Sequence, residues 1–165
     1  MRASINEVLL TALLLGFRRW AGHSSGQSRR GPSGLLLDLE GHGREEIFEG
    51  IDLSRTVGWF TTIFPVQLDC PELDLDDALA GGPALVRCLK AVKGRLRKIP
   101  QNGLGFGLLR YLNPETAVVL AALRQPHIGF NYLGRFASAE AADWTPSVVL
   151  GAGGDPDAPL PHVLD

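Results

Sequence analysis

Glu40-Gly-His-Gly-Arg-Glu45 gathers two carboxylates, an imidazole and a guanidinium into six residues. The glycines flanking His42 let the backbone turn sharply and approach a ligand closely. A carboxylate at the head of such a turn serves as a general base once it faces a cleft, which makes Glu40 a candidate proton acceptor. The same residues also read as a solvated polar loop, the usual fate of charged side chains. Downstream, Phe130-Asn-Tyr-Leu-Gly-Arg-Phe136 sets Asn131 and Leu133 on one face of an extended segment, with Phe130 and Tyr132 on the other. An Asn within an apolar strand must find a hydrogen-bond partner, either in the fold or in a ligand. Arg55-Thr-Val-Gly-Trp-Phe-Thr-Thr-Ile-Phe-Pro-Val66 packs aromatics around one glycine. Core and turn is the favoured reading for Trp59 and Phe60, with Trp59 also carried as a substrate-binding candidate. Gly103, Gly105 and Gly107 form GxGxG and not GxGxxG, and no strand leads into them, so a nucleotide loop is weakly supported.

Several elements must position these groups. Ile5, Val8, Leu9, Ala12, Leu13 and Phe17 recur at helical spacing, so the pattern predicts a helix over Ile5–Trp20 with Ser4 as its cap. Leu35–Glu40 reads as a strand with Leu35, Leu37 and Leu39 on one side and Leu36 on the other. Residues 23–33 and 41–58 read as loops. Trp59–Leu68 reads as extended, at an edge or near a bend because of Pro65. Leu85, Leu89, Val92 and Leu96 predict an amphipathic helix over Pro83–Lys98, its other face carrying Arg87, Lys90, Lys93, Arg95, Arg97 and Lys98. The glycine alternation at 103–107 reads as a loop. Asn113 caps a second helix with Pro114 at its first position, ending before Pro126. Ile128–Leu133 reads as a short strand, and the tail from Ala137 as mostly loop. The class is α/β or α+β.

Composition narrows the function. At 165 residues, 45% hydrophobic and 21% charged, the chain has the balance of a single folding domain. Sixteen basic against 18 acidic residues, a net charge of -2, argue against nucleic acid as the main partner. Twenty glycines and 11 prolines exclude a long coiled coil or simple helical bundle. Cys70 and Cys88 lie too far apart for a CxxC motif, and His23, His42, His127 and His162 lack metal-ligand spacing. No metal or bound cofactor is expected. The apolar run Val8–Phe17 is too short to span a bilayer, and Glu7 in front with Arg18-Arg19 behind is the wrong order for a signal peptide. A reduced, cytoplasmic protein without membrane contact is the simplest reading.

The order and wording of four segments carry further. EGHGRE, RTVGWFT with a following Pro-Val, IPxxGLGFGLLRY and FNYLGRF closely resemble the signature motifs of epimerization domains of nonribosomal peptide synthetases. These domains belong to the condensation-domain superfamily, and the resemblance runs from Ser4 to His162. It implies one lobe of a chloramphenicol-acetyltransferase-like fold, a mixed sheet with packed helices. It also implies inversion at Cα of an aminoacyl or peptidyl thioester on the phosphopantetheine arm of a carrier domain. By resemblance Glu40 is a catalytic acid/base group and Arg44 orients carboxylates or supports the site electrostatically. Asn131 and Tyr132 line the pocket, and His42 shapes the loop and its substrate contacts. The family's other catalytic group is a histidine in an HHxxxDG motif, and this sequence contains no His-His pair. Residues 1–165 are thus expected to form a partial domain, the C-terminal lobe, inactive alone. Its partners would be the carrier domain, the N-terminal lobe and adjacent synthetase modules. Two other readings stay open. One is a condensation or acyl-transfer remnant, for which the resemblance implies a Ser-Gly-Arg type loop without the preceding glutamate. The other is a non-catalytic module binding an acidic carrier domain through the basic helix face, a face that also reads as simply solvated.

Overall fold

A computed structural model of the chain describes residues 2–24, 34–41, 44 and 49–134. The expected loop at 25–33, His42 and the tail from Ala137 lie outside the described residues. Helix α1 runs from Ile5 to Ser24, longer than expected. Its start is a reciprocal cap: the Glu7 N–H donates to Ser4 Oγ at 3.2 Å, and the Ser4 N–H donates to Glu7 Oε2 at 2.8 Å. The buried stripe is Leu10, Leu14, Leu15 and Ala21, with Thr11. That corrects the expected face in part: Ile5, Val8 and Leu9 are exposed, while Leu13 and Phe17 pack half-buried against the core. The helix is apolar almost all round through Val8–Leu15, so periodicity alone cannot select its inner side.

Strand β1 (Gly34–Gly41) is central in a sheet ordered β2-β1-β3. It pairs antiparallel with β2 (Thr62–Asp69) and parallel with β3 (Gly129–Phe130). Leu35, Leu37 and Leu39 lie opposite Leu68, Val66 and Phe64, and all six are buried. This aliphatic layer packs on α1 and on helix α3 (Pro83–Leu96). Pro65 lies in an edge strand, where it disturbs the ladder least. β3 is shorter than the expected Ile128–Leu133, its pairing confined to Asp38–Gly129 and Leu39–Phe130.

A short helix that the hydrophobic pattern does not announce, α2 (Leu75–Leu79), is capped by Asp74. It also supports the start of its neighbour. Gly82 offers α3 no side-chain cap, and Asp77 Oδ2 instead accepts from the Ala84 N–H at 2.7 Å. Helix α3 buries Ala84, Cys88 and Val92, with Leu85 and Leu96 packed beside them. Two of its basic residues hold the fold together: Lys93 pairs with Glu7 at 3.2 Å, and Arg95 Nε donates to the Gln67 carbonyl at 3.0 Å.

The glycine alternation at 103–107 is helical and not a loop. Pro100–Gly103 is a tight turn in which Gln101, Asn102 and Gly103 all have positive φ. Helix α4 (Leu104–Gly107) and a wide turn at Leu108–Leu112 follow. The chain reversal is completed by Gly103, so Gly105 and Gly107 need no special conformation. Helix α5 (Pro114–Ala121) starts as expected, Asn113 Oδ1 accepting from Glu115 N at 2.9 Å and Thr116 N at 3.4 Å.

Candidate functional site

Because side chains alternate along a strand, β1 turns Leu36, Asp38 and Glu40 away from the aliphatic layer. Asp38 pairs with Pro65 and Glu40 with Ile63 across β2. On the other flank the register sets Leu39 beside Phe130, so Asn131 comes next to Glu40 on the outer face. There Asn131 Nδ2 donates to Glu40 Oε2 at 2.6 Å. The Asn that needed a partner meets the candidate base, across 91 residues of sequence. Tyr132 follows, half-buried.

Arg44 faces elsewhere in its described contacts. Its Nη1 donates to the carbonyls of Leu53 and Thr56, and its guanidinium lies 4.4 Å from the centre of the Phe60 ring. The turn it grips is also closed by Thr56 N on Leu53 O at 3.1 Å and Ser54 N on Asp52 Oδ1 at 2.8 Å. The Ser54 hydrogen bonds hold the Asp52 carboxyl below its ordinary pKa. Arg44 therefore organises the β1–β2 connection. Trp59 on that connection is 91% exposed, which corrects the core reading, while Phe60 is half-buried beneath Arg44.

A cleft of about 770 Å³ opens on the outer face, lined by Asp38 and by Ile63, the cross-strand partner of Glu40, but not by Glu40 itself. Asp38, Thr61, Thr62 and Ile63 form one wall, and Leu104, Phe106, Leu108, Arg110 and Tyr111 stand among the others. The Arg110 guanidinium lies 5.0 Å from the Tyr111 ring centre. Sequence reasoning passed over Asp38. The available signal was its parity with Glu40, since it interrupts the aliphatic run at the one spacing that shares that face. Also unanticipated is the meeting of Cys70 and Cys88, both buried, with the Cys88 thiol pushed up to about 12 by burial and by Cys70. Among the described residues there is no group of three or more His, Cys, Asp or Glu that could hold a metal ion, and no helix long and apolar enough to cross a membrane.

A mixed sheet backed by helices, with the Glu40 and Asn131 motifs brought together on its outer face, defines a condensation-type domain of the peptide synthetases. The condensation-domain family matches residues 1–149, and the chain belongs to that family. The linear gramicidin synthase of Brevibacillus parabrevis has a subunit 44% identical over 171 residues, covering 99% of this chain and 3% of that protein. Surfactin synthase subunit 1 of Bacillus subtilis (strain 168) is 39% identical over 164 residues, covering 98% of this chain and 4% of that protein. Among solved structures, the epimerization domain from the third module of tyrocidine synthetase B is 38% identical with a TM-score of 0.62, covering 81% of this chain and 26% of that one. The chain thus spans a small part of each of these relatives.

Proposed function

We propose that this chain supplies one side of an epimerization site acting on an aminoacyl or peptidyl thioester carried by a phosphopantetheine arm. The observation that carries this reading is the 2.6 Å bond from Asn131 to Glu40, which fixes one carboxylate oxygen and orients the other. Glu40 takes the α-proton, whose acidity the thioester has raised. A carboxylate remains far too weak a base unless the enolate is stabilised as it forms, so hydrogen-bond donors must surround the thioester oxygen. Inversion then needs a proton on the opposite face, delivered by a second acid/base group. That group is the imidazole of a facing lobe, which also closes the site and strengthens its electrostatics by excluding water. Glu40 immediately before the Gly-His-Gly-Arg sequence favours this chemistry over condensation.

The test follows deuterium entry at Cα of an aminoacyl thioester on a carrier domain in D₂O. The chain alone gives no exchange. Addition of a separately produced lobe bearing HHxxxDG gives exchange, which Glu40→Gln abolishes and Asn131→Ala lowers by about 10–100-fold, the size of one hydrogen bond to a charged group. Exchange by the chain alone that depends on Glu40 would refute the two-sided site. Exchange by the pair that ignores Glu40 would refute the role of the carboxylate.

A further inference from the structure

We infer that Cys70 and Cys88 form a modification site, a buried dithiol that a small-molecule disulfide converts to an internal disulfide closing the end of β2 onto α3. Cys70 is the first residue after β2, and Cys88 lies within α3. Both are free thiols buried in one core cluster, and their side chains are hydrogen-bonded to each other. Only side chains that already approach can be bridged without moving the backbone. The backbone around this pair is held from two sides. Arg18 Nη1 of α1 donates to the Cys70 carbonyl at 2.9 Å, and Arg95 Nε of α3 holds the Gln67 carbonyl of β2 at 3.0 Å. Metal binding is not the alternative, because among the described residues no third ligand joins the two sulfurs. The thiols also differ. Burial and the Cys70 thiol push the Cys88 pKa up to about 12, so Cys88 supplies little of the attacking thiolate. Cys70 borders the exposed Pro71–Glu72 turn and is the sulfur that local opening uncovers first.

Cys70 gives up its proton and attacks one sulfur of oxidised glutathione, whose S–S bond breaks and releases one glutathione thiolate. Cys88 then gives up its proton and attacks the Cys70 sulfur of the mixed disulfide, releasing the second glutathione. The two protein thiols lose two electrons, the oxidant gains them, and both protons end on glutathione thiols. The closed loop runs over residues 70–88, through the turn, α2 and the start of α3. The test incubates the native 165-residue chain with oxidised glutathione, quenches with an alkylating agent and weighs the intact protein. The protein becomes lighter by two hydrogens, takes up no alkyl group, and melts about 5–15 °C higher until a reductant restores the original Tm. Cys88→Ala under the same treatment gains no such stability, and Cys70→Ala takes up no glutathione. The wild-type mass decides the matter if either variant fails to fold. Two thiols that stay free under native oxidation, a disulfide that joins two copies, an unchanged or lowered Tm, or glutathione on Cys88 would overturn the inference.

Discussion

Gly103→Ala and Gly105→Ala make the same chemical change two residues apart, and the structure assigns them opposite signs. Gly103 has φ of 83°, and a Cβ built there would stand 2.0 Å from Cδ1 of the buried Phe64. The left-handed conformation costs an Ala about 1–2 kcal/mol. Displacing Phe64 from a packed layer adds about 1–3 kcal/mol. The loss of about 2–5 kcal/mol is a large part of the whole stability of a domain and lowers Tm by roughly 4–20 °C. Gly105 lies inside α4 with nothing within 4 Å of its added Cβ. Ala there is neutral or stabilises by up to about 1 kcal/mol, through lost unfolded-state freedom and better helix propensity. The assay is thermal unfolding followed by far-ultraviolet circular dichroism, with coincidence of a tertiary probe to confirm two-state behaviour. Equal losses at both positions, or a Gly103→Ala protein melting within a degree of wild type, would show that the motif's glycines are not distinguished by backbone strain and packing.

Glu7 has its pKa lowered, first by the Ser4 N–H and then by Lys93. Its folded-state pKa lies below the unfolded one, so its contribution is complete above the unfolded pKa and is lost as pH falls through the folded value. Acid titration of stability should therefore show a loss below about pH 4.5 that is smaller in Glu7→Gln, which keeps the cap hydrogen bond and itself costs about 0.2–1 kcal/mol near neutrality; parallel curves for the two proteins would contradict this. Asp77→Ala leaves the N–H of the fully buried Ala84 without its acceptor and costs about 1–3 kcal/mol in denaturant unfolding, against no measurable change if water replaces the carboxylate.

Local patterns transferred well to the fold where the pattern was asymmetric. In β1 only one parity is uninterrupted Leu, and that parity is buried. In α5 the Asn-Pro-Glu start leaves little choice. The inner side of α1 was illegible because Leu, Ala and Val occupy nearly every direction around it, and packing against β1 and α3 selects the buried stripe. The alternating glycines mislead because a turn residue in sequence and a helical residue in structure are chemically identical when the chain has already reversed at 101–103. Long-range meetings were out of reach. Nothing local in Cys70 or Cys88 says that a strand end and a helix will bring their thiols together, and nothing in Arg44 names Phe60 as its partner. The Asn131–Glu40 contact is intermediate. Each residue announced a need, a partner for the amide and a cleft for the carboxylate, but only parallel pairing of β3 with β1 sets them side by side.

The two-residue period of β1 also separates folding from chemistry. Leu35, Leu37 and Leu39 face the helices and hold the sheet in place, while Asp38 and Glu40 project where no aliphatic layer depends on them. Isosteric neutralisation of either carboxylate removes a charge from a half-buried outer position and opens no cavity in the core. Their variants thus report the charge and its polar contacts, such as the Asn131 bond to Glu40, and not the packing of the core. The same cannot hold at Gly103, where the motif that borders the cleft is tied to Phe64 on the inner layer. A loss of function there would reach the cleft through packing, so the residues that shape this site and the residues that act in it must be distinguished by stability before they are distinguished by rate.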